Sequence, residues 1–122
     1  MITNNYDPTA TRPHADVESV YLYRPETEWT YSHHQSITRF GGRYFAIWSN
    51  GRVNEDDVGQ RVLLASAEDF ARWDEPRALI DSRPGKHSQL VLTAAGFHEH
   101  KGSLVAYAGK YEYAPKRLEA GT

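Results

Sequence analysis

The feature that most constrains the fold is a series of short alternating segments between residues 31 and 73. Aromatic and β-branched side chains recur in these segments, and they suit a pleated, half-buried surface. Gly41 and Gly42 separate the first two segments. Because glycine reaches positive φ without a Cβ clash, this pair predicts a tight hairpin turn. The predicted strands are 34–40, 43–49, 61–66 and 77–80.

The segment 66–73 is predicted to form the turn between the third and fourth strands. Ser66 opens it with a short polar side chain that can bond turn backbone, and Trp73 closes it with a ring that can pack beneath the turn. Four antiparallel strands joined by short turns make a meander, which is the unit of a β-propeller blade.

This turn resembles the Asp-box of sialidase-type propellers, which approximates Ser-x-Asp-x-Gly-x-x-Trp. Ser66 and Trp73 stand at the same spacing, whereas Glu68 replaces the Asp and Phe70 replaces the Gly. The wider block of SHHQSI, AIWSNG and NEDDVGQRV resembles the opening blade of sialidase-like carbohydrate-active propellers, which include lyases of uronate-containing polysaccharides. The resemblance covers residues 31–113 and implies an all-β propeller fold.

A second, imperfect copy of the pattern follows a turn-rich link at 81–86. His87 begins a segment that echoes the one at His34 after 53 residues, and Leu104 echoes Phe45 after 59 residues. The segment between the echoes, 93–101, is therefore predicted to be a long hairpin. A period near ~50 residues is typical of propellers.

The predicted organisation is an extended polar arm at 1–15, a propeller blade segment at 16–113 and a polar tail at 114–122. The blade segment would contain one spare strand at 17–23 and about one and a half four-stranded blades. Propellers have about 4–8 blades. We therefore expect the chain to be part of a longer propeller, or to pair as a homo-oligomer through its open sheet edges.

Charge and composition exclude several classes of partner. The formal net charge of −2 provides no basic field for nucleic acid or an anionic membrane surface. The chain has no cysteine, which excludes disulfides and thiolate metal sites. Residues 1–11 lack the basic start and apolar run of a signal peptide, and no apolar stretch approaches the ~20 residues of a membrane span. These patterns predict a soluble, unexported protein.

Three residues near the start of the first strand are the candidate catalytic residues: His34, Tyr31 and His33. Histidine titrates near neutral pH and therefore suits general acid–base chemistry. Adjacent residues of a regular strand point to opposite faces, so only one histidine is expected to face the channel of a propeller. The resemblance and the echo at His87 favour His34. The alternative is that both histidines are polar residues of a connecting segment.

The loop before the third strand supplies the candidate substrate-binding residues: Arg61, Asn50, Gln60 and Glu55. An arginine pairs with a carboxylate bidentately, and the other side chains can bind sugar hydroxyls. No cofactor and no metal site are predicted. The less favoured alternatives are a hard divalent cation in the acidic loop 55–57, or a metal on His98 and His100 in the second hairpin.

The resemblance implies a carbohydrate-active protein, either a sialidase-like glycosidase or a lyase acting on a uronate polysaccharide. The arginine cluster, Asp and Tyr–Glu pair of sialidases are not matched in this sequence, whereas a lyase needs only a base, an acid and a cation. His34, Tyr31 and Arg61 could supply these types. The alternative is a non-catalytic carbohydrate- or protein-binding β module, or an inactive propeller remnant.

Overall fold

The computed structural model of the protein describes residues 7–114, and the regular secondary structure of this part of the chain consists of antiparallel β-strands. The predicted all-β class is therefore confirmed. Between residues 7 and 114 there is no helix long and apolar enough to cross a membrane. The strands are β1 (Tyr31–Phe40), β2 (Arg43–Gly51), β3 (Arg61–Ala67), β4 (Arg77–Ile80), β5 (Val91–His100) and β6 (Ser103–Tyr111).

The first four strands form the predicted meander, in the spatial order β1-β2-β3-β4. Phe40 pairs with Arg43 across the turn between β1 and β2. Gly41 and Gly42 have φ values of 56° and 79°, and a two-residue type I′ turn requires positive φ at both positions. The turn matches the right-handed twist of the strands, which explains why a glycine pair fixes this hairpin.

The predicted turn at 66–73 also lies between β3 and β4. Its ends are joined by a hydrogen bond from the backbone N–H of Asp74 to the carbonyl oxygen of Ser66, at 2.8 Å. The indole N–H of Trp73 donates to the carbonyl oxygen of Phe70 at 2.9 Å, and the two rings meet edge to face. Phe70 is thus part of the packing of this turn.

Within residues 7–114 the second sheet contains β5 and β6, and these strands differ from the prediction. The expected long hairpin at 93–101 is wrong, because β5 continues to His100 and the turn is formed by Lys101 and Gly102. The sequence AAG and the run His-Glu-His are weak strand formers. Cross-strand pairing with β6 overrides this local preference.

The two hairpins are structural repeats with an offset of 60 residues rather than 53 or 59. Each hairpin has a β-bulge in its first strand, and regular pairing resumes at Ser36 in β1 and at Gly96 in β5. Each turn ends on a glycine, Gly42 or Gly102. A bulge adds one residue to a strand without a partner opposite it. The shared bulge is a structural signature of the repeat that the sequence echoes did not reveal.

The core consists of two clusters on opposite faces of the first sheet. One contains Ala46, Trp48, Leu63 and Ala65 and is covered in part by Leu22, Tyr23 and Trp73. The other joins Ile47 and Val62 of the first sheet to Leu92 and Ala94 of β5. The second hairpin therefore packs against a face of the first sheet, and β5 lies against β1, β2 and β3. Over residues 7–114 the two sheets do not close into a ring or barrel.

The predicted strand at 17–23 is wrong, because the structure has no strand in that segment. Leu22 and Tyr23 pack on the Trp48 cluster, but Val17 and Tyr21 are exposed. Alternating side chains make a strand only where a neighbouring backbone supplies hydrogen bonds, and this segment forms no such ladder. Most of the predicted tail and the first six residues of the predicted arm lie outside the described residues.

Candidate functional site

His33 and His34 lie on the same side of the molecule, contrary to the expected alternation. A bulge interrupts β1 just after His33, and His34 has a φ of 55°. As a result the two imidazole rings are 4.0 Å apart between centroids. Both face one carboxylate oxygen, Oε1 of Glu55, at 3.6 Å from Nδ1 of His33 and 3.4 Å from Nε2 of His34. We call these three side chains the His33–His34–Glu55 centre.

Gln60 fixes the orientation of His33. Its side-chain Nε2 donates to the carbonyl oxygen of Leu92 at 2.8 Å and to Oγ1 of Thr93 at 3.3 Å. Its Oε1 accepts from the backbone N–H of Asp56 and lies 2.7 Å from Nε2 of His33. Because Oε1 can only accept, Nε2 of His33 carries the hydrogen. In the neutral ring, Nδ1 of His33 then presents a lone pair toward Glu55.

Ser49 positions the second histidine and joins it to the second sheet. Its hydroxyl oxygen accepts from the buried backbone N–H of Ala94 at 2.9 Å. The same oxygen lies 3.3 Å from Nδ1 of His34. A ring held at Nδ1 directs its Nε2 toward Glu55, so the hydroxyl selects the atom of His34 that faces the centre.

The three side chains of the centre differ in how far they are exposed to solvent. The side chain of His33 is 12% exposed, that of His34 is 38% exposed and that of Glu55 is 58% exposed. A molecule in solution can therefore reach His34 and Glu55, whereas His33 is accessible mainly through them. This arrangement can accept, hold or release a proton at an exposed imidazole beside a carboxylate.

Tyrosines approach this region from both hairpins. The ring of Tyr31 lies 5.2 Å from that of His33. The hydroxyl of Tyr113 donates to the carbonyl oxygen of Asp56 at 2.9 Å. Burial and hydrogen bonding to the Asp56 carboxylate raise the pKa of Tyr111 above its ordinary range, since both disfavour a phenolate.

The four predicted substrate-binding residues do not all meet. Glu55 belongs to the centre and Gln60 contacts it through His33, but Arg61 and Asn50 form a cross-strand pair on the opposite face of the sheet from Ser49. The guanidinium of Arg61 lies 3.8 Å from the ring centroid of Trp29 and donates to Oδ1 of Asn50 at 2.9 Å. The positive charge predicted to neutralise a substrate carboxylate is thus engaged elsewhere.

In the part of the chain that the structure describes, neither the acidic loop 55–57 by itself nor the pair His98 and His100 forms a group of three possible ligands. Among residues 7–114, the only group of three or more carboxylate or imidazole ligands close enough for one ion is His33, His34 and Glu55. In the acidic loop, Asp57 instead accepts a hydrogen bond from the backbone N–H of Val53 at 3.2 Å. On β5, the rings of His98 and His100 are stacked with centroids 6.0 Å apart.

Two residues near the centre were not predicted from the sequence. In the sequence, Ser49 looks like an ordinary strand residue. The packing of β5 explains its buried hydroxyl, which accepts a hydrogen bond from the backbone N–H of Ala94. Tyr111 reaches the acidic loop because the end of β6 lies beside it, as its interaction with Asp56 shows. No signal in a single sequence indicates either contact, since each depends on how the two sheets pack.

No protein-family model, curated protein or solved structure matches this chain at a significant level. The sialidase-like resemblance therefore stays a prediction from the sequence.

Proposed function

We propose that the chain contributes the proton-transfer site of a carbohydrate-active protein with a sialidase-like propeller fold, and that its reaction is elimination on a uronate-containing glycan. The observation that supports this most directly is the convergence of His33, His34 and Glu55, with an exposed imidazole beside a carboxylate. The meander, its degenerate Asp-box turn and the repeated hairpin support the blade interpretation.

His34 is the proposed general base. Its Nε2 would take the proton from the carbon next to the uronate carboxyl group, and the electron pair would form a carbon–carbon double bond as the glycosidic carbon–oxygen bond breaks. The leaving oxygen then takes a proton from an acid, for which Tyr31, whose ring lies beside that of His33, is the proposed donor. Glu55 stabilises the resulting imidazolium by charge, at 3.4 Å.

Elimination is favoured over hydrolysis by the nature of the side chains. Most glycosidases use two carboxyl groups about 5–9.5 Å apart, one on each side of the scissile bond. In this centre one carboxylate, Glu55, is flanked by two imidazoles. Imidazole is the stronger base of the two types near neutral pH, and a stronger base favours abstraction of a carbon-bound proton.

A non-catalytic glycan-binding module is the second candidate, and the position of Arg61 favours it. Its guanidinium is engaged with Trp29 and Asn50 on the other face of the sheet. A lyase also needs a cation at the substrate carboxylate, so a chain without one at the centre would bind glycans without turning them over.

The test is ultraviolet absorbance of unsaturated products, measured with the full-length protein on a panel of uronate polysaccharides. We expect turnover, and we expect His34→Ala to lower it roughly 10²–10⁴-fold. The matched control is His98→Ala, which changes an exposed histidine on β5. Glycan binding by calorimetry without unsaturated products would instead establish the binding module.

Open sheet edges support a further part of the proposal, that the chain associates with strands beyond those described. In the described residues β4 is an edge of the first sheet, and the second sheet has two strands only. Unpaired edges are sites of strand addition. We expect light scattering on the isolated chain to show an oligomer, and a stable monomer would contradict this.

A further inference from the structure

We propose that the His33–His34–Glu55 centre binds a divalent metal ion of the zinc class. The coordinating atoms are Nδ1 of His33, Nε2 of His34 and Oε1 of Glu55. One ligand atom of each of the three residues lies within 4.8 Å of those of the other two. Metal binding goes beyond the proposed function and does not depend on it, because it requires no glycan.

The distances in the centre suit tetrahedral coordination. Zinc bonds to imidazole nitrogen and carboxylate oxygen are about 2.0–2.2 Å long, so the edge between two ligands of a tetrahedral site is about 3.3–3.6 Å. Oε1 of Glu55 lies 3.6 Å from Nδ1 of His33 and 3.4 Å from Nε2 of His34. Both separations are too long for a good direct hydrogen bond, yet they match two such edges.

The hydrogen-bond pattern around His33 leaves an atom that a cation would satisfy. Gln60 fixes the hydrogen on Nε2, as shown above. Nδ1 is buried and has no hydrogen-bond partner among the described residues. Its lone pair faces a carboxylate oxygen, which is also an acceptor. Two facing acceptors repel each other unless positive charge lies between them, and a metal ion supplies that charge.

Both histidines also have the outer contacts that metal-binding histidines need. A ligating imidazole is normally held through its other nitrogen by a neighbouring acceptor, which fixes the tautomer and the ring orientation. The acceptor for His33 is Oε1 of Gln60, 2.7 Å from Nε2. The acceptor for His34 is Oγ of Ser49, 3.3 Å from Nδ1. Each of these two residues is buried and is itself held by β5.

The ligand types select the class of ion. Two imidazoles and one carboxylate suit zinc and neighbouring first-row ions, whereas calcium and magnesium prefer all-oxygen sites. Three protein ligands leave a fourth coordination position for water or another small ligand. The exposure of His34 and Glu55 places that position on the solvent side.

Zinc binding and the proposed base catalysis would use the same lone pair. When Nε2 of His34 binds an ion it cannot accept a proton, so the metal-bound form would be inactive in the elimination proposed above. The two proposals are therefore separable. Metal binding without turnover would support the zinc site and reject the lyase. Turnover without metal binding would support the lyase and reject the zinc site.

The test is calorimetric titration of the chelator-treated full chain with Zn²⁺, supported by the visible spectrum of the Co²⁺ form. We expect one ion per chain and a tetrahedral cobalt spectrum. His34→Ala and Glu55→Gln change exposed side chains and should leave the fold intact by circular dichroism. Each should weaken binding by more than the about 10–100-fold that loss of an outer contact costs.

The matched control is the double variant His98→Ala, His100→Ala, which removes the other close histidine pair and should bind zinc as the parent chain does. The proposal is overturned if the parent chain does not bind zinc. It is also overturned if the His34 and Glu55 variants retain parental affinity, or if binding is lost in the His98/His100 variant.

Discussion

Gln60 and Leu92 are joined by two hydrogen bonds that connect the two sheets. The side-chain amide of Gln60 donates to the carbonyl oxygen of Leu92 at 2.8 Å, and the backbone N–H of Leu92 donates to the carbonyl oxygen of Gln60 at 3.1 Å. Because the other end of the Gln60 amide holds His33, the docking of the second hairpin and the geometry of the His33–His34–Glu55 centre are physically coupled.

Gln60→Ala should therefore affect stability and the centre together. The substitution leaves the carbonyl oxygen of Leu92 and the backbone N–H of Asp56 without the side-chain partners they have now. We expect the free energy of unfolding to fall by about 1–3 kcal/mol, the usual cost of an unsatisfied buried group. Urea unfolding measures it. Gln35→Ala is the control, since Gln35 is exposed, and an equal loss in both variants would contradict the argument.

The first sheet could be predicted from the sequence because its determinants are local. The glycine pair fixes the first turn, and the three strands after it were placed to within two residues at each end. β5 was only partly recognised, because the segment 94–100 contains weak strand formers. Its strand state comes from pairing with β6 and from packing of Ala94 and Phe97 against the first sheet. Such contacts join residues distant in sequence.

The centre was predicted in its residue types but not in its geometry. His33, His34, Glu55 and Gln60 were all singled out as candidates. The bulge that turns both histidines to one side could not be predicted, since a regular strand places them apart. Arg61 was expected near them, yet pairing with Asn50 places it on the other face. The bulge therefore brings the two histidines together, and the regular register of β2 and β3 keeps Arg61 away from them.

Ser49→Ala tests the second contact between the centre and β5. The hydroxyl of Ser49 is the acceptor for the buried backbone N–H of Ala94. Its loss should cost about 1–3 kcal/mol of unfolding free energy, although the change removes only one oxygen atom. Ser103→Ala, at an exposed serine of β6, is the control and should change stability by at most ~0.5 kcal/mol. Thermal or urea unfolding distinguishes them, and a neutral Ser49 variant would show that water replaces the hydroxyl.

Gly42→Ala tests the turn that sets the first hairpin. Gly42 has a φ of 79°, and a Cβ at this position would have no heavy atom within 4 Å, so any cost comes from the backbone alone. We expect a loss of about 1–2 kcal/mol, the penalty for a left-handed conformation in an L-residue. Gly109→Ala is the comparison.

Gly109 lies in β6 without a positive φ, and an added Cβ would meet Thr93 at 3.9 Å, an ordinary contact. Its replacement by alanine should be neutral or stabilising by up to about 1 kcal/mol, because alanine has less freedom in the unfolded chain. If the two glycine variants lose equal stability in urea unfolding, conformational strain does not explain the Gly42 result.

Tyr111 should make stability fall at alkaline pH. Burial and hydrogen bonding to Asp56 raise its pKa in the folded state. The unfolded chain releases the phenolic proton near pH ~10, whereas the folded protein retains it to higher pH. Above pH ~10 the folded state therefore binds more protons than the unfolded state, and linkage requires stability to decrease as pH rises. Below pH ~10 both states are protonated and this contribution is constant.

Tyr111→Phe removes the ionisable group but keeps the ring. We expect urea unfolding at several pH values between about 8 and 11 to show a shallower alkaline loss of stability in this variant than in the parent chain. Tyr21→Phe is the control, because it makes the same chemical change at a ring that is 71% exposed. If Tyr111→Phe and the parent lose stability in parallel above pH ~10, the folded and unfolded states ionise Tyr111 alike, and the neighbouring acidic loop does not disfavour the phenolate.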